Sequence, residues 1–254
     1  MERFKDESAG NVPKPSFDEF KMHSSIREKF SSNIIDLPKI SSLNDDHLAK
    51  KFLINRQIPN EKFSILYFAE NFKSFVHSLL PNKSAELVDN DPRIIIPFYD
   101  EKNIIIGFQG RAISSSKIRY ITIKLQEDSR KIYGLNHLDL TKKIYVVEGP
   151  FDSMFLKNSI AMMDAALYNA AFLGNYDFVF VYDNENRNKQ VVNNMEKTIK
   201  LGKNICIWPK NIKEKDINDM VLSGLTGPMV QSIIDNSTYS GLKAKMNMVN
   251  WSKV

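Results

Sequence analysis

Short apolar runs that stop abruptly at an acidic residue are the feature that most constrains the fold of this chain. Residues 144–147 read Ile-Tyr-Val-Val and are followed by Glu148, and residues 178–182 read Phe-Val-Phe-Val-Tyr and are followed by Asp183. Continuous apolar runs of this length are typical of strands buried on both faces of a parallel sheet. Ligand sites in open parallel sheets lie just beyond the carboxyl ends of the strands. We therefore expect acidic side chains to gather at one edge of such a sheet.

The acids fall into three clusters that favour a divalent-metal site. The clusters contain Glu148 with Asp152, Asp183 with Glu185, and Asp216 with Asp219. In an extended backbone Asp183 and Glu185 point to the same side, where they repel each other unless a cation lies between them. Mg²⁺ binds a few carboxylates together with water and phosphate oxygens. The pattern predicts phosphoryl or nucleotidyl transfer, and the alternative is a set of solvated acids that cap helices.

Glu148 has two interpretations. It can cap the helix predicted near 151–157, because it precedes Gly149-Pro150. Alternatively, Gly149 lets a phosphate approach the backbone while Glu148 acts as a general acid or base. Asp152 lies in the first turn of that helix, where the positive end of the helix dipole favours it.

The charge of the chain favours a polyanionic partner. The 254 residues include 35 Lys and Arg against 30 Asp and Glu, which gives a net charge of +5. The basic residues concentrate at 111–131 and 187–215, on both sides of the acidic clusters in sequence. Lys and Arg bind phosphates without reading sequence. Aromatic residues near the first basic stretch either stack on bases or pack in the core: Phe108, Tyr120 and Tyr133.

Cysteine and hydropathy exclude several classes of protein. The single cysteine, Cys206, permits neither an internal disulfide nor a cysteine-based zinc site, so we expect no zinc in this chain. No apolar stretch approaches the roughly 18 residues that a membrane span requires. We expect a protein of the cytoplasm without a membrane partner.

The periodicity of the chain predicts an α/β fold with a central parallel sheet, preceded by a smaller mixed α+β basic subdomain. Helical patterns begin at Asn44 or Asp45 and at Glu70, a hairpin joins 93–99 to 104–108, and a third strand covers 120–123. From Ile144 strands and helices alternate, with helices near 165–173, 188–201 and 217–223. The predicted organisation is a disordered linker or arm at 1–32, the basic subdomain at 33–140, a catalytic domain at 141–225 and a helical segment at 226–254.

These motifs together resemble the Toprim domain. The matching features are Glu148-Gly149 after one strand, Asp183-x-Glu185 after another, and Lys215-Asp216 in a later loop. The upstream segments Phe108-Gln-Gly-Arg-Ala and Tyr120-Ile-Thr-Ile are similar to the basic subdomain of DNA primases of T-even-like bacteriophages. The resemblance covers roughly 36–254 and implies a Toprim fold and synthesis of short RNA primers on single-stranded DNA from ribonucleoside triphosphates.

The resemblance also implies residue roles, cofactors and partners. Glu148 would be the catalytic acid or base, with Gly149, Asp152 and Asn218 near the site. Two Mg²⁺ ions, with Mn²⁺ as a substitute, would be held by Asp183, Glu185, Asp216 and Asp219. Triphosphates or template would contact the basic residues Arg93, Arg111, Arg119, Lys124, Lys131 and Lys215. A replicative helicase would act in trans in a primosome, in the cytoplasm of the host cell for a phage-encoded chain.

Two rival functions and one departure remain open. The rivals are a Toprim metal-dependent nuclease and a catalytically silent primase-like module that binds helicase or DNA. Primases of this type usually carry an N-terminal zinc-binding domain, for which this chain has no cysteines. The alternatives are that the chain is a fragment, that the zinc module is a separate polypeptide, or that it has been lost.

Overall fold

The computed structural model describes residues 36–114, 116–125, 131–163 and 176–254. Its first sheet is antiparallel, and the strand order is β1-β2-β3-β4. The strands are β1 (Tyr67–Ala69), β2 (Arg93–Tyr99), β3 (Ile105–Ala112) and β4 (Tyr120–Lys124). The predicted hairpin is β2 and β3, and the predicted third strand is β4. The sequence pattern did not predict β1, which has only three residues.

Two α-helices accompany this sheet. They are α1 (Leu48–Asn55) and α2 (Phe72–Leu79), with 3₁₀ turns at Ile40–Ser42, Asn60–Ile65 and Pro81–Lys83. The prediction that Asn44 or Asp45 caps α1 is wrong, because the imidazole of His47 accepts the amide N–H of Ala49 at 3.2 Å instead. A Cβ at Gly110 would lie 2.5 Å from the ring of Phe72, so α2 packs closely on the sheet only because position 110 has no side chain.

The second sheet has a parallel centre, as predicted, and antiparallel edges, which were not predicted. Its order is β10-β9-β8-β6-β7-β5, and the central pairs β9-β8, β8-β6 and β6-β7 are parallel. The edge strands have two residues each and pair antiparallel. The strands are β5 (Ile132–Tyr133), β6 (Ile144–Val147), β7 (Ser159–Met162), β8 (Phe178–Phe180), β9 (Asn204–Cys206) and β10 (Thr238–Tyr239).

Helices connect the strands and follow the sheet. They are α3 (Pro150–Ser153), α4 (Lys189–Lys200), α5 (Ile217–Leu222), α6 (Gly227–Asn236) and α7 (Gly241–Trp251), with a 3₁₀ turn at Leu135–His137. The first of them is one short turn rather than the helix expected near 151–157. The helix predicted near 165–173 and the arm at 1–32 lie outside the described residues. No helix in the described ranges has the length and apolar character that a membrane crossing requires.

One hydrophobic core joins the two sheets. It contains Leu53 of α1 and Ile94 of β2 as well as Val146 of β6, all of them fully buried. A smaller cluster fills the space between α2 and the first sheet. The predicted domain boundaries at 140 and 225 stay predictions, because the core continues across the first of them.

Candidate active site

The first two acidic clusters meet because their strands are parallel neighbours. Val146 of β6 pairs with Phe180 of β8, so the two strands end at the same edge of the sheet. Glu148 follows one strand and Asp183 follows the other, and the amide N–H of Asp183 donates to Oε1 of Glu148 at 3.3 Å. The expectation that these acids gather at one edge of the sheet therefore holds for this pair.

The segment that leads to Asp183 is anchored by buried hydrogen bonds. The indole N–H of Trp208 donates to the carbonyl of Tyr182 at 2.8 Å, and the Tyr182 hydroxyl lies 2.7 Å from Oγ1 of Thr198. Both aromatic side chains are nearly inaccessible to solvent. These contacts fix the backbone one residue before the acid, so the position of Asp183 is set by the core.

The third cluster joins the site through α5. Asp216 is the N-cap residue of this helix, and its Oδ1 accepts the amide N–H of Asp219 at 2.8 Å. The amide N–H of Asn218 donates to Oδ1 of Asp152 at 3.0 Å, which connects the helix to the first cluster. Asp219 is exposed and does not line the cavity that contains Glu148, Asp183 and Asp216.

Asn184 ties the two acidic loops to each other and to the last helix. Its backbone N–H donates to the carbonyl of Lys215 at 2.6 Å, and its Nδ2 donates to the carbonyls of Ile212 and Glu214 at 3.2 and 3.1 Å. Its Oδ1 accepts the indole N–H of Trp251 at 3.0 Å. The spacing between the Asp183–Glu185 loop and the Lys215–Asp216 loop therefore depends on one amide side chain.

A lysine lies beside the second cluster. The ammonium of Lys215 is 3.4 Å from Oε1 of Glu185 and 4.0 Å from Oδ2 of Asp183. Partial burial lowers the pKa of Lys215, but the charges of Glu185 and Asp183 outweigh that effect and the net shift is upward. Lys215 is therefore firmly cationic and supplies positive charge to the carboxylates.

The carboxylates of the site hold protons unusually strongly. Burial raises the pKa of Asp183 to about 8, and the neighbouring carboxylates Glu148, Asp152 and Asp216 contribute further. Burial, followed by the charge of Asp216, raises the pKa of Asp152 to about 7. Burial also raises the pKa of Glu148, with the charge of Glu185 as a smaller contribution and the N–H of Asp183 opposing both. Such crowding of acids is typical of functional sites.

A divalent cation fits the chemistry of these donors. Within the described ranges no group of at least three His, Cys, Asp or Glu side chains converges on one point. Mg²⁺ nevertheless needs only one or two carboxylates, because water and substrate phosphate oxygens complete its octahedral shell. The paired acids Asp183 and Glu185 meet that requirement, so the magnesium site stays a prediction that the donor set supports.

The wall opposite the acids is basic. A cavity of about 350 Å³ is lined by Glu148, Asp183 and Asp216 on one side and by Arg56, Arg111 and Arg119 on the other. The guanidinium of Arg111 lies 4.5 Å from the ring centre of Tyr120 and 5.4 Å from that of Phe52. Burial lowers the pKa of Arg111, and its Nε is buried without a hydrogen-bond partner among the described residues. An unpaired buried donor in a cavity is available for an anionic ligand.

Arg56 is the residue of the site that the sequence pattern did not reveal. Its Nη1 donates to Oδ1 of Asn218 at 2.6 Å, and Nδ2 of Asn218 donates back to the Arg56 carbonyl at 2.7 Å. The two residues are 162 positions apart, so no local motif connects them. The only signal is an arginine at the end of a predicted helix, which is common on any surface.

Arg93 is buried, which contradicts its predicted contact with nucleotide or DNA. Only 1% of it is exposed, and its Nε is ion-paired with Oδ2 of Asp91 at 2.7 Å. Its Nη atoms donate to the carbonyls of Gly110 and Ile118, both at 2.9 Å. Charge alone predicted an exposed arginine, but a complete set of acceptors lets this one pack against the first sheet.

The remaining predicted residues divide between the cavity and its surroundings. Gly149 lines the cavity, and a Cβ there would lie 2.8 Å from Oδ2 of Asp152, so glycine leaves room for that carboxylate. Lys124 and Lys131 do not line the cavity. Among the aromatic residues, Phe108 and Tyr133 are buried in the core, whereas Tyr120 is partly exposed on the cavity wall.

The comparison with curated proteins identifies the family. No family model matches the chain. The DNA primase of Enterobacteria phage T4 is 30% identical to it over 230 residues, which are 89% of this chain and 67% of that protein. The chain belongs to the DNA primase family.

Solved structures agree with this primase fold. The zinc-binding and RNA polymerase domains of Aquifex aeolicus primase superpose with a TM-score of 0.63 at 18% identity, covering 89% of this chain and 64% of that one. The DnaG primase catalytic domain bound to ssDNA superposes with a TM-score of 0.64 at 13% identity, covering 86% of this chain and 80% of that one. At these identities the likeness concerns the fold, and it confirms the α/β Toprim architecture predicted from the sequence.

Proposed function

We propose that this chain synthesises short RNA primers on single-stranded DNA by magnesium-dependent nucleotidyl transfer from ribonucleoside triphosphates. The observation that carries the proposal is the single cavity in which Glu148, Asp183 and Asp216 face Arg111 and Arg119. An acidic wall suits a divalent cation, and a basic wall suits the phosphates of nucleotide and template. Membership of the DNA primase family supports the same reaction.

Glu148 is the proposed general acid or base. Its raised pKa brings the carboxyl closer to neutral pH, which is where proton transfer by a side chain is most effective. Asp183, Glu185 and Asp216 would hold Mg²⁺, or Mn²⁺ in its place, with Asp219 as an outer contributor. Two such ions, when bound, supply charge that stabilises the triphosphate oxygens and lowers the pKa of the attacking 3′-hydroxyl.

The basic residues are proposed to position the phosphates. Arg111 and Arg119 lie in the cavity, and Arg56 adds a third guanidinium held in place by Asn218. Lys215 compensates the carboxylates and is close enough to the cavity to contact a triphosphate. Lys124 and Lys131, which lie outside the cavity, would contact the template backbone.

The two rivals predict different products from the same metal site. A Toprim nuclease would cleave a labelled strand instead of extending one, and it has no need for the basic subdomain formed by the first sheet. A silent binding module would bind DNA without any chemistry, and it has no need for Glu148 with a shifted pKa.

The test is primer synthesis on mixed-sequence single-stranded DNA with labelled ribonucleotides and Mg²⁺. We expect short RNA products from the native chain, and their loss in Glu148→Gln and Asp183→Asn. Glu196→Gln is the matched control, because Glu196 is exposed on α4 and far from the cavity lining. Strand cleavage in place of synthesis would establish the nuclease, and DNA binding with neither product would establish the silent module.

The same assay addresses the proposed partners. We propose that a replicative helicase acts in trans, that a zinc-binding module contributes template recognition, and that the protein works in the cytoplasm, that of the host cell for a phage chain. Addition of helicase or of a zinc-binding module should then increase primer yield or narrow the choice of start site. Unchanged yield and start sites with both additions would refute these partnerships.

A further inference from the structure

A second cavity borders the loop that carries Asp183 and Glu185. Its volume is about 460 Å³, and Asn184 lines it, whereas Asp183 lines the acidic cavity. One short loop thus separates the two cavities. None of the basic residues of this second cavity is among those discussed above.

The charge of the second cavity is entirely positive. Four basic side chains line it, and no carboxylate does: Arg187, Lys210, Lys213 and Lys253. Within the described part of the chain, no acid forms an ion pair with Arg187, Lys210 or Lys253, and the ammonium of Lys213 donates to the Lys210 carbonyl. Charges of one sign around a concave surface concentrate counter-ions of the other sign.

The cavity is built from three segments that hydrogen bonds hold together. The indole of Trp251 binds Asn184 at 3.0 Å, and the backbone N–H of Lys253 donates to the carbonyl of Asn186 at 2.9 Å. The side chain of Asn184 also holds the loop that carries Lys210 and Lys213, through the carbonyl of Ile212. The basic groups therefore project from backbone that is fixed in place, unlike lysines scattered over a surface.

We propose that this cavity binds phosphate groups of a nucleic-acid strand that runs past the acidic cluster. Lys and Arg recognise phosphate by charge, and Arg187 adds a planar fork that fits phosphate oxygens. The aromatic ring of the cavity, Trp251, is 6% exposed, so it offers no face on which a base could stack. The chemistry therefore fits the backbone of a strand better than a nucleotide held by its base.

The inference rests on the proposed primase function, and it is tested by the salt dependence of DNA binding. Fluorescence anisotropy would follow a labelled single-stranded oligonucleotide at increasing KCl, for the native chain and for Arg187→Gln/Lys253→Gln. Losing two phosphate contacts should reduce the slope of log K against log salt by about 1.4, since each single-strand contact contributes about 0.7. The affinity at low salt should fall roughly tenfold.

A matched double variant separates a site from net charge. Lys102→Gln/Lys200→Gln removes the same charge from two exposed lysines that do not line the cavity. We expect its slope to stay near that of the native chain. Equal losses in the two double variants, or no loss in either, would overturn the proposal.

A second arm distinguishes a strand from a free nucleotide. Binding of labelled ATP and of inorganic tripolyphosphate is measured for the same variants. Unchanged affinity for both ligands in Arg187→Gln/Lys253→Gln, together with weaker DNA binding, supports the strand. Weaker ATP or tripolyphosphate binding with unchanged DNA binding would refute it in favour of a free nucleotide.

Primer synthesis by the native chain keeps the two proposals apart. If the native chain makes primers while the double variants bind DNA alike, the second phosphate site is wrong and the primase proposal stands. If the native chain makes no primers, the primase proposal fails whatever the binding data show.

Discussion

Asp183→Asn should stabilise the metal-free protein, although Asp183 is a proposed metal ligand. The pKa of this carboxyl is about 8 in the folded protein against an ordinary 3.8, so the folded state binds a proton that the unfolded chain has lost at neutral pH. Stability then falls as the pH rises from about 4 to about 8, because the unfolded state binds fewer protons over that range. Asparagine lacks the charge and therefore escapes this loss.

The size of the effect follows from the shift. At pH 7 the unfolded carboxyl is ionised about three pH units above its ordinary pKa, and each unit is worth about 1.4 kcal/mol, so the upper limit is about 4 kcal/mol. The side chain is 23% exposed, and its acidic neighbours relax when one charge is removed, so we expect about half of that. A gain of about 2 kcal/mol in a domain of this size raises Tm by roughly 4 to 8 °C.

The assay is thermal unfolding in EDTA from pH 5 to pH 9, repeated with Mg²⁺. Without metal, the Tm difference between Asp183→Asn and the native chain should grow with pH and shrink toward pH 4. With Mg²⁺ the native chain should gain stability and the variant should gain less. Asp46→Asn, at a side chain that is 96% exposed, should follow the native curve. A lower metal-free Tm for Asp183→Asn would show that the acids do not repel as described.

Three further substitutions test other contacts. Trp251→Phe leaves the Oδ1 of Asn184 without its donor, so we expect a loss of about 1 to 3 kcal/mol in unfolding free energy and a higher Mg²⁺ concentration for half-maximal primer synthesis. Arg56→Gln removes a guanidinium from the cavity, and the KM for ribonucleotides should rise about tenfold in steady-state kinetics. Gly110→Ala places a Cβ 2.5 Å from the Phe72 ring, so the denaturation midpoint should fall by the equivalent of about 1 to 3 kcal/mol. Unchanged values would contradict each contact in turn.

The acidic half of the site could be predicted from sequence because it depends on local order. An apolar strand followed by an acid places that acid at the end of the strand, and parallel pairing of β6 with β8 brings Glu148 and Asp183 together. The edge strands β5 and β10 escaped prediction because two residues carry no periodic signal. Their antiparallel pairing follows from how the chain returns to the sheet, which composition does not encode.

The basic half could not be predicted to the same extent, because burial decides the role of an arginine and sequence does not show burial. Arg93 and Arg111 both lie in apolar surroundings on the first sheet, with 1% and 7% of their surfaces exposed. Arg93 has Asp91 and several carbonyls as partners, so its charge is satisfied inside the fold. The Nε of Arg111 has no such partner among the described residues, which leaves that group for a ligand.

The two walls of the cavity belong to different sheets, and Arg56 joins them. Its reciprocal hydrogen bonds with Asn218 connect the end of α1 to α5, and the amide of Asn218 in turn holds the carboxylate of Asp152. Because Asp216 begins the same helix, a shift of α1 would move an acidic residue and a basic residue of the cavity together. The distance between the acidic and basic walls is therefore set by hydrogen bonds inside the site, and the core that joins the two sheets supports them from behind.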